Sequence, residues 1–154
     1  MKSILTLIFA SMMTLASFGQ DIIEITFDSF DNEPEYNDGW EDWIINLKND
    51  KYRFVFYFYG SAETFAGNYS TQDGSLDGSF SYGYDLQTTP YATRIDFESC
   101  ELTITETRPS ATITRYHLEA NIVDTNDKHY LVKATHDILT ATEVVEAEIL
   151  DAQI

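Results

Sequence analysis

The feature that most constrains this chain is a two-residue alternation of apolar and polar side chains that begins near residue 21. Its clearest run covers residues 52–59, where Tyr52, Phe54, Phe56 and Phe58 occupy every second position. Successive side chains of a β-strand point to opposite faces, so this period is typical of strands. Helical periodicity is almost absent, and the pattern therefore predicts an all-β protein.

Further runs with the same period are separated by residues that favour turns. Residues 48–51 and 124–128 are rich in Asn and Asp, which tolerate the backbone angles of hairpin turns. Residues 67–70 indicate one more short strand. The alternating runs contain Ile23, Ile25 and Phe27; Trp43, Ile45 and Leu47; Phe80, Tyr82, Tyr84 and Leu86; Ile95 and Phe97; Leu102 and Ile104; Tyr116, Leu118, Ala120 and Ile122; Tyr130, Val132 and Ala134; and Val145, Ala147 and Ile149.

The alternation changes phase once. Ile95 and Phe97 occupy odd positions, whereas Leu102 and Ile104 occupy even ones. One extra residue in a strand moves every later side chain to the other face, so we predict a β-bulge or a turn near residues 99–100.

Eight or nine strands joined by short turns favour an antiparallel β-sandwich, with a lipocalin-like up-and-down β-barrel as the alternative. Both faces of residues 52–59 are largely apolar, which predicts a central strand covered on both sides. Nothing resembles a linker, so residues 20–154 are expected to form a single β domain.

The first 19 residues have the pattern of a removable signal peptide. Lys2 is followed by an apolar stretch too short to span a bilayer, and residues 16–19 offer small side chains for cleavage before Gln20. We therefore expect an exported protein, periplasmic or extracellular. No cysteine lies near the cleavage point to carry a lipid, so we expect no membrane insertion after cleavage.

The charge of the chain limits its partners. Nine Lys and Arg residues stand against 26 Asp and Glu residues, a formal net charge of −17. Such a surface repels nucleic acid and anionic membranes, and neither is expected as a partner. An aromatic content of 14% argues against disorder.

The single cysteine, Cys100, excludes an intramolecular disulfide. The domain must therefore be held together by apolar burial and sheet hydrogen bonds. Because a free cysteine packs as a small apolar side chain, we expect Cys100 to be buried and unreactive.

An acidic segment near the start of the domain is a candidate calcium site, because Ca²⁺ prefers several closely spaced oxygen ligands. Its spacing does not match the twelve-residue loop of helix-loop-helix calcium proteins, and a solvated loop is the simpler interpretation. No other cofactor is expected. The candidate ligands are Asp28, Asp31, Glu33, Asp38 and Asp42.

Exposed aromatic side chains are the candidate ligand-binding residues, because rings stack on sugars and enclose apolar ligands. They are Trp40, Tyr57, Tyr59, Tyr82, Tyr84 and Tyr91. His129 and His136 lie an odd number of residues apart on one predicted strand, so they face opposite sides and do not chelate a metal together. No motif for a catalytic nucleophile or a zinc-dependent hydrolase is present, and no catalytic residue is predicted.

Several strand patterns occur in an order that resembles small exported β-proteins of Bacteroidetes. They are residues 52–56, 67–70, 99–104, 116–120 and 130–134. The resemblance implies a β-sandwich or a lipocalin-like barrel and brings no known activity. Many of those proteins are lipoproteins with a cysteine after the signal, and this chain departs from that pattern.

The expected function is that of a non-enzymatic binding or surface-interaction module, exported as an acidic domain. Its partner would be a protein, a glycan or a small apolar ligand. The alternative is a lipocalin-like carrier of a small apolar ligand, which would need a closed barrel around a cavity.

Overall fold

The computed structural model describes residues 21–139, and all the regular secondary structure in that range is β-strand. The predicted all-β class is therefore confirmed. The predicted signal peptide and the predicted last strand around residues 145–149 lie outside the described residues. The described strands are β1 (Ile22–Phe27), β2 (Glu35–Asn37), β3 (Asp42–Lys48), β4 (Tyr52–Tyr59), β5 (Gly67–Ser70), β6 (Tyr82–Asp85), β7 (Thr93–Thr107), β8 (Ile113–Asp124) and β9 (His129–Leu139).

These nine strands form one sheet in the order β1-β9-β8-β7-β6-β4-β3-β2, with β5 paired to β7 outside this path. All neighbours are antiparallel except β1, which lies parallel to β9. The first and last strands of the order do not pair with each other, so the sheet is open. The described strands therefore do not form the closed barrel expected as the alternative.

The sheet folds over itself because β7 belongs to two layers. Its first residues pair with β6, whereas the rest of the strand pairs with β8 and β5. We call β1, β9, β8, β5 and the second part of β7 the long-strand layer. The aromatic layer consists of β2, β3, β4, β6 and the first part of β7.

Ring contacts show that the two layers pack face to face. Phe54 of β4 lies 6.2 Å from Phe27 of β1 and 6.3 Å from Tyr130 of β9, measured between ring centroids. Neither β1 nor β9 is a neighbour of β4 in the sheet order. The core between the layers is thus shared, which gives the sandwich-like arrangement that the alternation predicts.

The predicted phase change in β7 is confirmed. The register between β7 and β8 shifts between Phe97 and Ser99. Ile95 and Phe97 are buried before this bulge, and Leu102 and Ile104 are buried after it. One extra residue therefore keeps both ends of a 15-residue strand facing the same core.

Three local predictions are corrected by the structure. The strand predicted over Phe80–Leu86 is only Tyr82–Asp85, because the preceding residues form a turn stabilised by Asp77. The acidic segment contains the short strand β2 rather than being loop throughout. Among residues 21–139 no second layer of strands packs on the outer face of β4, where Tyr59 is 41% exposed although Val55 is buried.

The residues from 21 to 139 include no helix able to cross a membrane.

Candidate functional site

The outer surface of the aromatic layer carries a group of aromatic rings that reach solvent. We call this group the tyrosine face and define it by Tyr57, Tyr59, Phe80, Tyr82 and Tyr84. Phe80 is 65% exposed and Tyr59 is 41% exposed, whereas the other three rings are half-buried. Large exposed apolar side chains in one patch are typical of interaction surfaces.

Strand alternation explains why these rings share one face. Phe54, Phe56 and Phe58 of β4 point into the core, so Tyr57 and Tyr59 point outward. On β6 it is Gly83 that faces the core, so its neighbours Tyr82 and Tyr84 point outward as well. The pairing of β4 with β6 then places Tyr82 opposite Val55, next to Tyr57.

Asp77 holds Phe80 and Tyr59 in place. Its Oδ1 accepts hydrogen bonds from the backbone N–H groups of Ser79 and Phe80, at 2.9 and 3.1 Å. Its Oδ2 accepts a hydrogen bond from the hydroxyl of Tyr59 at 3.1 Å. The ring of Phe80 then lies 6.0 Å from that of Tyr57. One carboxylate therefore orients two of the five rings.

Arg94 of β7 adds a cation to the tyrosine face. Its guanidinium carbon lies 4.7 Å from the ring centroid of Tyr82 and 6.0 Å from that of Tyr84. The guanidinium also donates from Nε to Asp96 at 2.6 Å, and this bond raises the pKa of Arg94. A charged group fixed over two rings in this way is well placed to bind a partner.

The rings of the tyrosine face are inclined to one another. The planes of Tyr82 and Tyr84 make an angle of 76°, and those of Tyr57 and Phe80 an angle of 51°. Burial raises the pKa of Tyr57, and the hydrogen bond to Asp77 raises that of Tyr59. Both phenols therefore stay protonated at neutral pH, and they offer hydrogen-bonding groups beside an apolar surface.

Asp42 borders the same face, opposite Tyr59 in the pairing of β3 with β4. Its Oδ1 is buried and has no hydrogen-bond partner among the described residues. Burial, with a contribution from the charge of Asp77, raises the pKa of this carboxyl group.

Two of the predicted aromatic residues lie apart from the others. Trp40 is 74% exposed in the turn before β3, and Tyr91 is 84% exposed in the loop before β7. Within residues 21–139 neither ring packs against another aromatic ring. The structure therefore brings together four of the six predicted residues, Tyr57, Tyr59, Tyr82 and Tyr84.

The five acidic residues predicted as calcium ligands are dispersed. Asp28, Asp31 and Glu33 lie between β1 and β2, Asp38 follows β2, and Asp42 begins β3. Within residues 21–139 no three His, Cys, Asp or Glu side chains are arranged to hold a metal ion.

Glu33 instead contacts His136, at 3.1 Å from Nε2. His136 also accepts a hydrogen bond at Nδ1 from the backbone N–H of Phe30, at 3.2 Å, and its ring stacks on that of Phe30. These contacts attach the segment after β1 to β9. His136 therefore has a structural role, and Glu33 is already in contact with it.

Sequence reasoning missed Phe80, Arg94 and Asp77. Phe80 lies two and four residues before Tyr82 and Tyr84, and this two-residue spacing could have indicated that its ring points to the same face. Asp77 precedes a glycine and two residues whose N–H groups it binds, as is typical of a turn. The position of Arg94 depends on how β6 pairs with β7, which no local pattern reveals.

Comparisons with protein-family models, with curated proteins and with solved structures find no match for this chain. The resemblance to exported Bacteroidetes proteins therefore stays a prediction.

Proposed function

We propose that this protein is an exported, non-enzymatic binding module that docks a partner protein through the tyrosine face. The observation that carries the proposal is the grouping of five solvent-reaching rings beside Arg94 on one outer face of the aromatic layer. Tyrosine, phenylalanine and arginine are enriched in protein interfaces, and tyrosine and arginine are frequent among the few residues that carry most of the binding energy.

The inclination of the rings favours a protein over a polysaccharide at this surface. A sugar chain stacks best on rings that lie in one plane, whereas planes 51° and 76° apart present ridges and hollows. Side chains of a protein partner can fill such hollows. The fixed turn that carries Phe80 would also reduce the loss of conformational freedom on binding.

The net charge of the chain indicates the charge that a partner protein should carry. With a net charge of −17, the protein would attract a basic partner and repel an acidic one. Arg53 and Arg94 stand at the tyrosine face itself, so the partner would bring at least one acceptor to that surface. We expect the association rate to fall as salt is added, because added ions screen long-range attraction.

The test compares three immobilised proteins: the natural chain, the double variant F80S/Y82A, and the control T105A. Thr105 is exposed on the long-strand layer, away from the tyrosine face. A partner captured from periplasmic or culture fluid is purified and titrated against all three. We expect the double variant to bind at least about 30-fold more weakly, the loss typical of a central interface residue.

Equal binding by the natural chain and the folded double variant would contradict the proposal. Near-ultraviolet circular dichroism of each variant provides the folding control. Binding that depends on salt but not on the rings would point to the acidic surface in general instead of the tyrosine face.

A further inference from the structure

A groove of about 550 Å³ lies on the outer surface of the long-strand layer, on the other side of the molecule from the tyrosine face. We call it the bulge groove, because it lies beside the register shift of β7 at Phe97 and Ser99. A ligand site in this groove would be distinct from the function proposed above, since none of the groove residues belongs to the tyrosine face.

Strand register defines the groove. Ile22, His129, Val123 and Ser99 stand opposite one another on β1, β9, β8 and β7. In the next row Asn121 is paired with Glu101, and Glu101 with Ser70 of β5. A bulge bends its strand and increases the local twist, so it makes this end of the layer concave.

The segment after β5 forms one wall. Thr71 donates its backbone N–H to the carbonyl of Cys100 at 3.0 Å, and its hydroxyl oxygen accepts from the N–H of Cys100 at 3.0 Å. These two bonds fix the chain against β7, which places Gln72 at the rim of the groove. The wall is therefore set in position before any ligand binds.

Four polar side chains at the bulge groove are exposed and have no hydrogen-bond partner within residues 21–139, so their polar atoms are available to a ligand. They are Gln72, Ser99, Glu101 and Asn121. Farther along the same layer several outward side chains instead pair across strands, as Arg115 does with Asp137, Lys133 with Glu24 and Thr103 with Asn68.

The groove also has a defined charge. No lysine or arginine lines it, and Glu101 contributes a carboxylate. His129 also lines the groove, and its Nε2 lies 3.7 Å from a carboxylate oxygen of Asp127. An anionic ligand would therefore meet the carboxylates of Glu101 and Asp127 without a lysine or arginine to offset them. The floor includes Ile22 and Val123, whose side chains offer apolar contact. A suitable ligand is thus uncharged, with hydroxyl groups at its edge and C–H groups on its face.

We propose that the bulge groove binds a neutral oligosaccharide of two or three sugar rings. The volume lies within the range usual for small-molecule sites. Amides such as those of Gln72 and Asn121 both donate and accept, as sugar hydroxyls do. Ile22 and Val123 would contact the C–H face of a ring, while Glu101 and Ser99 would bind its hydroxyls.

The test is an NMR titration of the isotope-labelled protein with neutral trisaccharides of glucose, mannose, xylose and N-acetylglucosamine. Sialyllactose and a trimer of galacturonic acid are the anionic comparators. We expect saturable shifts of the side-chain amides of Gln72 and Asn121 with at least one neutral sugar. N121A and Q72A should each weaken that binding about five- to tenfold, as loss of one or two hydrogen bonds would. T105A, outside the groove, should not change it.

Three results would overturn the proposal. The first is binding weaker than about 10 mM for every neutral sugar in the panel. The second is binding of the anionic sugars alone. The third is a set of shifts confined to the tyrosine face and unchanged by N121A and Q72A, which would place sugar binding on the opposite surface.

Discussion

Gly83 lies directly beneath the ring of Phe54, so close that a Cβ atom at position 83 would stand 2.6 Å from Cε1 of that ring. Phe54 is fully buried and contacts rings from three other strands, Phe27, Phe97 and Tyr130. The missing side chain on β6 therefore makes room for the ring that joins the two layers. Because Gly83 faces the core, strand alternation directs its neighbours Tyr82 and Tyr84 to the outer surface.

We expect G83A to destabilise the protein by about 1–3 kcal/mol, because the added methyl group would force the ring of Phe54 out of its position. The matched control is G39A, where the nearest atom to an added Cβ is the side-chain oxygen of Asn37 at 3.4 Å. Urea unfolding of both variants measures the difference. Equal stability of G83A and G39A would show that the core adjusts around the methyl group.

Tyr130 should make the protein sensitive to alkali. Burial raises its pKa to about 12, with the nearby charge of Asp124 adding to the effect. A tyrosine whose pKa is raised on folding contributes stability that is present below its unfolded pKa of about 10 and is lost as the pH rises through the folded value. We expect the free energy of unfolding to fall between pH 10 and about 12.

Y130F is the control for this prediction, because it keeps the ring and cannot ionise. We expect the natural chain to lose stability more steeply than Y130F over the same pH range. Parallel curves for the two proteins would mean that other tyrosines cause the alkaline loss.

Asp77 should control the ionisation of Tyr59. The hydrogen bond between them is the main reason why the pKa of Tyr59 is raised. We expect D77A to lower that pKa toward its ordinary value, as followed by NMR of tyrosine-labelled protein through a pH titration. D73A is the matched control, because Asp73 binds Ser75 in the same loop and has no contact with Tyr59. An unchanged Tyr59 titration in D77A would contradict this account.

Cys100 should react only when the protein opens. The thiol is 1% exposed, and burial raises its pKa well above the ordinary range. Because the thiolate is the reactive form, we expect almost no labelling of the native protein by a thiol reagent at mildly alkaline pH. Labelling should become fast in denaturant, at a rate that follows unfolding. Rapid labelling of the native protein would show that this part of β7 opens on its own.

Residues 1–19, the predicted signal peptide, should direct export. We expect a reporter enzyme that carries this segment followed by Gln20 to appear outside the cytoplasm of a bacterial host, with cleavage before Gln20. A variant with two leucines of the apolar stretch changed to aspartate, Leu5 and Leu7, should stay inside. Mass spectrometry of the exported product gives the cleavage position. Retention of both fusions in the cytoplasm would refute the export prediction.

Local sequence patterns predicted most of the described strands and part of the site. The alternation in residues 52–59 showed which side chains of β4 share a face, because strand geometry gives each side chain a fixed direction. The change of phase between Phe97 and Leu102 located the bulge for the same reason. Tyr57, Tyr59, Tyr82 and Tyr84 could therefore be chosen together. Trp40 and Tyr91 are exposed as expected, but their exposure did not show that they lie apart from the tyrosine face.

The sequence by itself determined an all-β, acidic chain without an intramolecular disulfide, because period, charge and cysteine content are local or additive properties. Only the tertiary structure decided that β1 lies parallel to β9 and that the sheet folds over at β7 without closing. The pairing of β1 with β9 joins residues more than one hundred positions apart, such as Ile22 and His129, so no local pattern can reveal it. Tertiary structure also brings the turn of Asp77 and Phe80 against Tyr59 and Tyr57, and the pairing of β6 with β7 places Arg94 beside Tyr82.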